Sequence, residues 1–434
     1  MSPLALGLDL GSSGLRLALA EAGGAGSARL LTETGSPYPG NFNEPESWRQ
    51  GLIALVQRLP AEVRRRVNAI AIDGTSGTLL LCRPDGRLLP GALGQALPYH
   101  QACPEQREPA RQLCGDDTSP AASASGSLAR ALDLLHRAHP TGEGQDLLLR
   151  HQADWLMGWL LGDWRWGEEG NNLRLGWDLE RQTWSGAIAA QPWSAALPQI
   201  CPSGAILGQL SRDAAAQLDL PSHCLVVAGS TDANAAVLAA DPQEGDGICV
   251  LGTTLVLKQF CPAPIKAPGV SSHRLDGRWL VGGASNAGAG ILRRFYSDAQ
   301  ITELSRQIDP QRPTGLDLLP LPAPGERFPV DDPDLQPRLQ PRPVSDALYL
   351  QALLEGLTAL EVRGWQRLRQ LGAPPLRRVI TLGGGAHNPQ WRHLRQRALG
   401  VPVLNRPNLS AALGMAQLAL RAQARMGTSA AGLA

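Results

Sequence analysis

A chain of 434 residues has room for two or three ordinary domains, and 43% hydrophobic with 18% charged residues is the composition of a globular protein with more than one core. Forty basic residues against 39 acidic ones leave a formal net charge of +1, which argues against nucleic-acid and anionic-membrane partners. No apolar run reaches the roughly eighteen residues of a membrane-spanning helix, and no secretory signal is visible between Met1 and Asp9, so a cytoplasmic location is expected.

The first element is a short apolar run, Leu4 to Asp9, that stops at Gly11-Ser12-Ser13-Gly14. A second run, Leu15 to Ala20, follows at once, so strand, tight turn, strand is expected. Pro45 to Leu59 places apolar residues at helical spacing with Glu46 in the first turn. Val67 to Asp73 is a buried-strand candidate that again ends in a carboxylate and a Gly/Thr/Ser cluster. Leu128 to Arg137 and Asp154 to Leu161 read as helices, and Ile200 to Gly208 as a loop. Leu225 to Ala228 is a strand running into Gly229-Ser230-Thr231-Asp232. Ala233 to Ala240 then reads as a helix of small residues suited to close packing.

Gly247 to Gly252 and Leu255 to Gln259 make a second strand, turn, strand unit around Thr253-Thr254. The Pro- and Asp-rich stretch from Asp309 to Asp346 is either a surface linker or a structured loop over a cleft. Val379 to Leu382 is an apolar strand ending in Gly383-Gly384-Gly385. Alternating strands and helices predict an α/β architecture. Two halves that each open on strand, Gly/Ser/Thr turn, strand point to an internal duplication. The seven cysteines, Cys82, Cys103, Cys114, Cys201, Cys224, Cys249 and Cys261, form no Cys-x-x-Cys pair and read as reduced thiols.

Four turns carry chemistry. In Asp9-Leu10-Gly11-Ser12-Ser13-Gly14, a carboxylate at a strand end offers a Mg²⁺ contact, and the Gly/Ser backbone offers N–H donors to phosphate oxygens. An ordinary hairpin with a polar turn fits the same residues. Leu251-Gly252-Thr253-Thr254 repeats the logic without the carboxylate, with the same alternative. The three glycines at 383–385, followed by Asn388, Pro389 and Trp391 opening a helix, suit a flat nucleotide resting on bare backbone. Asp232, at a strand-to-helix junction, could take the proton of a bound hydroxyl, or simply cap its helix. Lysine stands only at Lys258 and Lys266, and no Gly-x-x-x-x-Gly-Lys-Ser/Thr exists, which removes a P-loop. No Gly-x-Gly-x-x-Gly follows the first strand, which removes a dinucleotide fold.

The order of these turns resembles the FGGY carbohydrate kinases. Further likeness lies in Glu44-Pro45-Glu46-Ser47-Trp48, in His151 through Leu156 with Leu161-Gly162-Asp163, in Asn171 with Leu175-Gly176-Trp177-Asp178, and in Gly315-Leu316 through Gly325-Glu326-Arg327 and Pro329. The resemblance implies an actin-like ATPase (ribonuclease H-like) fold of two domains, 1–240 and 241–434, flanking a cleft for nucleotide and substrate. It implies ATP and Mg²⁺ as cofactors, a small sugar as partner, and a monomer or homodimer. Asp9 would hold Mg²⁺, and Gly11, Ser12 and Ser13 would meet the transferring phosphate. Gly252 and Thr253 would form the other phosphate loop, and Gly384, Gly385, Asn388 and Trp391 would border the adenosine. Asp232 would be the general base.

Many members carry a Gln-x-His-Gly type segment after the second strand, where this chain has Asp73-Gly74-Thr75-Ser76-Gly77-Thr78. That variant is similar to the cyanobacterial and plant D-ribulose kinase branch, and implies a D-ribulose site lined by Asp9, Ser76 and Asp232. A Trp such as Trp48 is expected to stack on the sugar. The alternatives are a kinase of D-xylulose or another small ketose, and a non-catalytic actin-like ATP-binding protein.

Overall fold

The computed structural model describes residues 2–23, 28–116, 119–139 and 146–431, and the chain divides into two compact units. Unit 1 is Met1–Asp241 with Arg274–Gly277 and Ser410–Ala434; unit 2 is Pro242–His273 with Arg278–Leu409. A single cut at 240/241 leaves out the return of the last segment to unit 1.

Unit 1 opens with β1 (Leu4–Gly11), β2 (Gly14–Ala22), β3 (Ala28–Ser36), α1 (Pro45–Gln57) and β4 (Val67–Gly74). It continues with α2 (Ser127–Ala138), α3 (Gln152–Leu161), β5 (Ile206–Gln209), β6 (Leu225–Thr231) and α4 (Asp232–Ala239). Then come β7 (Asp246–Leu251), β8 (Leu255–Cys261), β9 (Val270–Leu275), β10 (Arg278–Ser285) and α5 (Asp298–Ser305). The chain ends with α6 (Asp346–Gln370), β11 (Arg378–Leu382), α7 (Pro389–Leu399), β12 (Val403–Asn405) and α8 (Ala411–Ala431).

The sheet of unit 1 runs β5-β6-β4-β1-β2-β3. Its centre, β1, β4 and β6, is parallel, and β2, β3 and β5 are antiparallel to their neighbours. Leu4, Leu6, Leu8, Leu10, Val67, Ile70 and Ile72 are buried, the near-continuous apolar pattern of strands covered on both faces. Pro45 begins α1, where its fixed φ suits the first turn and its missing N–H costs nothing. Trp48, Leu52, Leu55 and Val56, at helical spacing, join the core of those strands.

Helix α8 approaches β1 so closely that a Cβ on Gly7 would fall 1.9 Å from the Ala412 carbonyl oxygen. A Cβ on Gly414 would likewise fall 1.9 Å from the carbonyl oxygen of Ala235 in α4, so the small residues read in α4 do serve close packing.

The sheet of unit 2 runs β9-β10-β8-β7-β11-β12, with β7, β11 and β12 parallel and β8 and β10 antiparallel. Without the outermost β5 and β9, the orders β6-β4-β1-β2-β3 and β12-β11-β7-β8-β10 are the same, strand for strand. Helix α6 buries Leu350, Leu353, Leu354, Leu357 and Trp365 in the core of this unit.

The Pro-rich stretch has no helix or strand between 306 and 345, yet it is structured. Leu318, Leu319, Leu321 and Phe328 enter the core, and buried Glu326 accepts from Ser285 Oγ (2.6 Å), Asn286 N (2.8 Å) and Arg327 N (2.9 Å). Seven other elements, β3, β9, β10, α5, α6, β12 and α8, had no counterpart in the sequence reading. The expected loop at 200–208 is only partly one, because Gln199–Cys201 pairs with Trp166–Glu168 and Ile206 begins β5. Strands this short, split by Pro202 and Gly204, show no periodicity to read. Among the described residues no helix is long and apolar enough to cross a membrane.

Candidate functional site

In unit 1, β1, β4 and β6 end side by side, the place where open α/β sheets bind ligands. The register sets Asp9 opposite Asp73, and Asp73 opposite Ser230. Asp232 follows as the first residue of α4, partly exposed, with Oδ1 accepting the Ala233 N–H at 2.7 Å. Thr231, not Asp232, holds the helix-cap position.

Asp9 is 8% exposed and Asp73 not at all. Burial pushes the Asp9 carboxyl above its ordinary range, opposed by the adjoining Asp73 carboxyl and by Arg16, whose Nη1 stands 4.0 Å from Asp9 Oδ2. Burial, then the charges of Asp9 and Asp232, push Asp73 well above that range. Neither Asp73 oxygen has a hydrogen-bond partner among the described residues. Sequence reading quoted Asp73 but gave it no role.

Two turns flank these carboxyls. Ser12 and Ser13 are exposed between the paired Gly11 and Gly14, and Tyr38 Oη donates to the Gly11 carbonyl at 2.8 Å. The turn from Gly74 to Thr78 is held from several sides. Thr75 donates through N (3.0 Å) and Oγ1 (2.9 Å) to Gln152 Oε1, and Arg130 Nη1 donates to the Gly77 carbonyl at 3.0 Å. Thr78 Oγ1 lies 2.6 Å from Thr75 Oγ1 and accepts the Tyr99 N–H at 3.1 Å. Gly77, at φ 99°, makes the bend that leaves Ser76 partly exposed at the tip. Tyr38, Gln152 and Arg130 reach the site from far along the chain and carried no local signal. Trp48 corrects the stacking expectation: it is fully buried, with Nε1 donating to the Phe42 carbonyl at 2.6 Å, and offers no face to a ligand.

Unit 2 contains a cavity of about 540 Å³, within the ordinary range for a small-molecule pocket. Gly252, Thr253, Gly384, Gly385, Asn388 and Trp391, all singled out from sequence, line it. Open space lies where a Cβ on Gly384 would be, whereas one on Gly385 would meet Leu251 at 2.6 Å and the Trp391 ring at 2.9 Å. Asn388 caps α7, accepting the Trp391 N–H at 3.0 Å and donating to Ser305 Oγ at 2.8 Å. Trp391 is 1% exposed, its indole N–H bound to Thr358 Oγ1 at 3.1 Å, so it forms a wall rather than a stacking face.

The opposite side comes from Ala289, Gly290 and Arg293, which sequence reading missed. The signal was available in Gly288 and Gly290, which let this segment lie on the 252–254 turn; a Cβ on Gly288 would fall 2.4 Å from the Thr254 carbonyl carbon. Ala289 N donates to the Gly252 carbonyl at 2.8 Å, fixing that turn.

The expected residues thus gather into two sets. Asp9, Gly11, Ser12, Ser13, Ser76 and Asp232 belong to unit 1; Gly252, Thr253, Gly384, Gly385, Asn388 and Trp391 belong to unit 2. The first set supplies carboxylates, hydroxyls and turn N–H groups, suited to a polyhydroxyl compound or a phosphate. The second supplies bare backbone beside a cavity.

Residues 247–423 match the sequence model of the FGGY family of carbohydrate kinases, C-terminal domain. An L-fuculokinase of Salmonella typhi is 25% identical over 222 residues, which are 48% of this chain and 45% of that protein, so the chain aligns with somewhat under half of this curated relative. The xylulose kinase structure from Rhodospirillum rubrum matches 98% of this chain and 90% of its own, with a TM-score of 0.79 at 20% identity. The Plasmodium falciparum glycerol kinase structure with ADP matches 98% of this chain and 90% of its own, with a TM-score of 0.78 at 14% identity. Identities this low speak for the fold alone. With that fold along nearly its whole length, and with the sequence of the family's C-terminal domain over residues 247–423, the chain has the two-domain, actin-like ATPase fold of the FGGY carbohydrate kinases.

Proposed function

We propose that the chain is an ATP-dependent kinase that phosphorylates a terminal hydroxyl of a ketopentose, D-ribulose, to give D-ribulose 5-phosphate. The observation that carries the reading is the row of carboxyls at the ends of β1, β4 and β6, beside a rigidly held hydroxyl turn with Ser76 at its tip. Unit 1 would hold the sugar, through Asp9, Ser76 and Asp232, and unit 2 the nucleotide. Asp232 would take the proton of the attacking hydroxyl, help worth roughly 10²–10⁴-fold. Ser12, Ser13 and the Gly11 backbone would meet the transferring phosphoryl group. Gly252 and Thr253 would hold the other phosphates, and the cavity bounded by Gly384, Gly385, Asn388 and Trp391 would hold the nucleoside.

Mg²⁺ fits this set. No group of three His, Cys, Asp or Glu side chains among the described residues could hold a metal ion by itself. Mg²⁺ in phosphoryl transfer is instead normally held by one or two carboxylates plus the substrate's phosphates, and Asp9 is such a carboxylate, with the orphaned oxygens of Asp73 beside it. When bound, it would neutralise phosphate charge. The seven thiols are all free, which fits the reducing cytoplasm.

A hydroxyl turn in place of Gln and His favours D-ribulose over D-xylulose and glycerol. The test is coupled ADP release with Mg-ATP against D-ribulose, D-xylulose, L-ribulose, L-fuculose, glycerol and no sugar, with Asp232→Ala as control. Turnover with D-ribulose that falls at least about 100-fold in the variant is expected. Turnover confined to another sugar keeps the kinase and removes the Ser76 argument; sugar-independent behaviour throughout removes the kinase.

A further inference from the structure

Asp73 is a buried carboxyl of unit 1 whose two oxygens lack a hydrogen-bond partner among the described residues. It is wholly buried, at the end of a central parallel strand, with Asp9 in register on one neighbour and Ser230 on the other. The groups that act on it are the carboxyls of Asp9 and Asp232 and the Leu10 amide; the Asp9 carboxyl adjoins it closely enough for the two to share one proton, although no donor among the described residues reaches either Asp73 oxygen at full hydrogen-bonding geometry. Tyr38 stands close enough to feel the charge of both Asp9 and Asp73, and its hydroxyl is committed to the Gly11 carbonyl. Arg16, largely exposed, faces Asp9 at 4.0 Å, and the described groups that shift Asp73 include no cation.

A carboxyl taken from water normally gains donors in return, because an unpaired buried charge costs several kcal/mol. Thr75 and Thr78, on the adjoining turn, and Gln152, at the start of α3, are bonded to one another instead. The fold therefore presents two neighbouring carboxyls, and among the described residues offers the inner one no donor but a proton shared with the other carboxyl. Oxygen ligands short of positive charge are what a hard divalent cation takes.

We propose that Asp73 is a second divalent-cation ligand beside Asp9, so that the strand pair β1–β4, and not Asp9 alone, forms the protein half of the metal site. The inference rests on the kinase reading only in that nucleotide phosphates would complete the ligand set. Asp9 keeps 8% of its surface exposed, whereas Asp73 is wholly buried. Its part is to hold the ion against the sheet, and Asp232, reached through β6, stays outside the pair.

Mn²⁺ is the probe. Its binding to the full chain is followed by electron paramagnetic resonance, without sugar and in the absence and presence of ADP, in wild type, Asp9→Asn, Asp73→Asn, Asp73→Ser and Asp232→Asn. Weakening of about tenfold or more is expected for the Asp9 and Asp73 variants, and less than about threefold for Asp232→Asn. Mn²⁺ should also raise the thermal midpoint of the wild type but not of Asp73→Asn, since a ligand stabilises only the state that binds it.

Wild-type affinity in folded Asp73→Asn, or the absence of any wild-type Mn²⁺ site that Asp9→Asn removes, overturns the proposal. Should both Asp73 variants fail to fold, the wild type and Asp9→Asn alone decide it by that second criterion. Mn²⁺ held by both carboxyls with no sugar-dependent ADP release would sink the kinase reading and leave this one standing. Sugar-dependent turnover with unchanged Mn²⁺ binding in Asp73→Asn would do the reverse.

Discussion

Glu168 is a carboxyl held almost out of contact with water, at 1% exposure. Its Oε2 accepts the Asn171 N–H at 2.9 Å, while Oε1 has no partner. Burial pushes it well above the ordinary value of 4.5; the Gly170 and Asn171 amides oppose this, and the charges of Glu169 and Asp154 add to it. A carboxyl raised on folding holds its proton in the native state where the unfolded chain has lost it. The stability it contributes is therefore full below about pH 4.5 and is lost as pH rises through the raised value. Glu168→Gln keeps the acceptor for Asn171 and cannot ionise. Urea unfolding between pH 5 and 8 should show wild type losing stability with rising pH relative to the variant, at up to about 1.4 kcal/mol per pH unit. Parallel profiles would mean that Glu168 is already ionised in the fold.

At the level of elements, the contact of α4 with α8 matters most to the site, because Asp232 is the first residue of α4. A side chain on Gly414 would drive into the Ala235 carbonyl at 1.9 Å, backbone that no rotamer change can clear. Gly414→Val should cost about 1–3 kcal/mol, and more if α4 is pushed off the sheet. Gly186→Ala, where a Cβ meets nothing within 4 Å, should stay within about 0.5 kcal/mol. Thermal melts of the two variants check this, and ADP release should fall only in the first.

The same contact shows what could be read in advance. Asp9, Asp232 and Gly384 announce themselves because a carboxylate or glycine just beyond an apolar run is a local pattern. Asp73 ended such a run too, but its lack of partners depends on β1 and β6, which join it only in the sheet. Tyr38 and Gln152 approach the turns from 27 and 77 residues away, and no spacing rule reports that. Trp48 stood in a recognisable helix start, but which face it turns inward is decided by the packing. Helix α8 carries Gly414 in its first turn, and a glycine there reads as a break rather than as a helix start.

For the whole molecule, the path of the chain sets how it can be divided. Unit 1 is completed by α8, which follows all of unit 2 in sequence. Leu413, Met415, Leu418 and Leu420 are each at most 8% exposed, and burying such a side chain stabilises by about 1.5–3 kcal/mol. Four of them together contribute on the order of 6–12 kcal/mol, which equals the whole stability of an ordinary domain, about 5–15 kcal/mol. Losing α8 would also strip cover from β1, whose Gly7 lies against the Ala412 carbonyl. A fragment of residues 1–241 is therefore expected not to fold cooperatively, although it contains every strand of its sheet. Adding residues 405–434 in trans, or by a flexible linker, should restore a single unfolding transition by circular dichroism. A fragment 1–241 that melts cooperatively alone would show that α8 caps a core already sufficient without it. The Gly7 and Gly414 contacts would then adjust the site and not the fold.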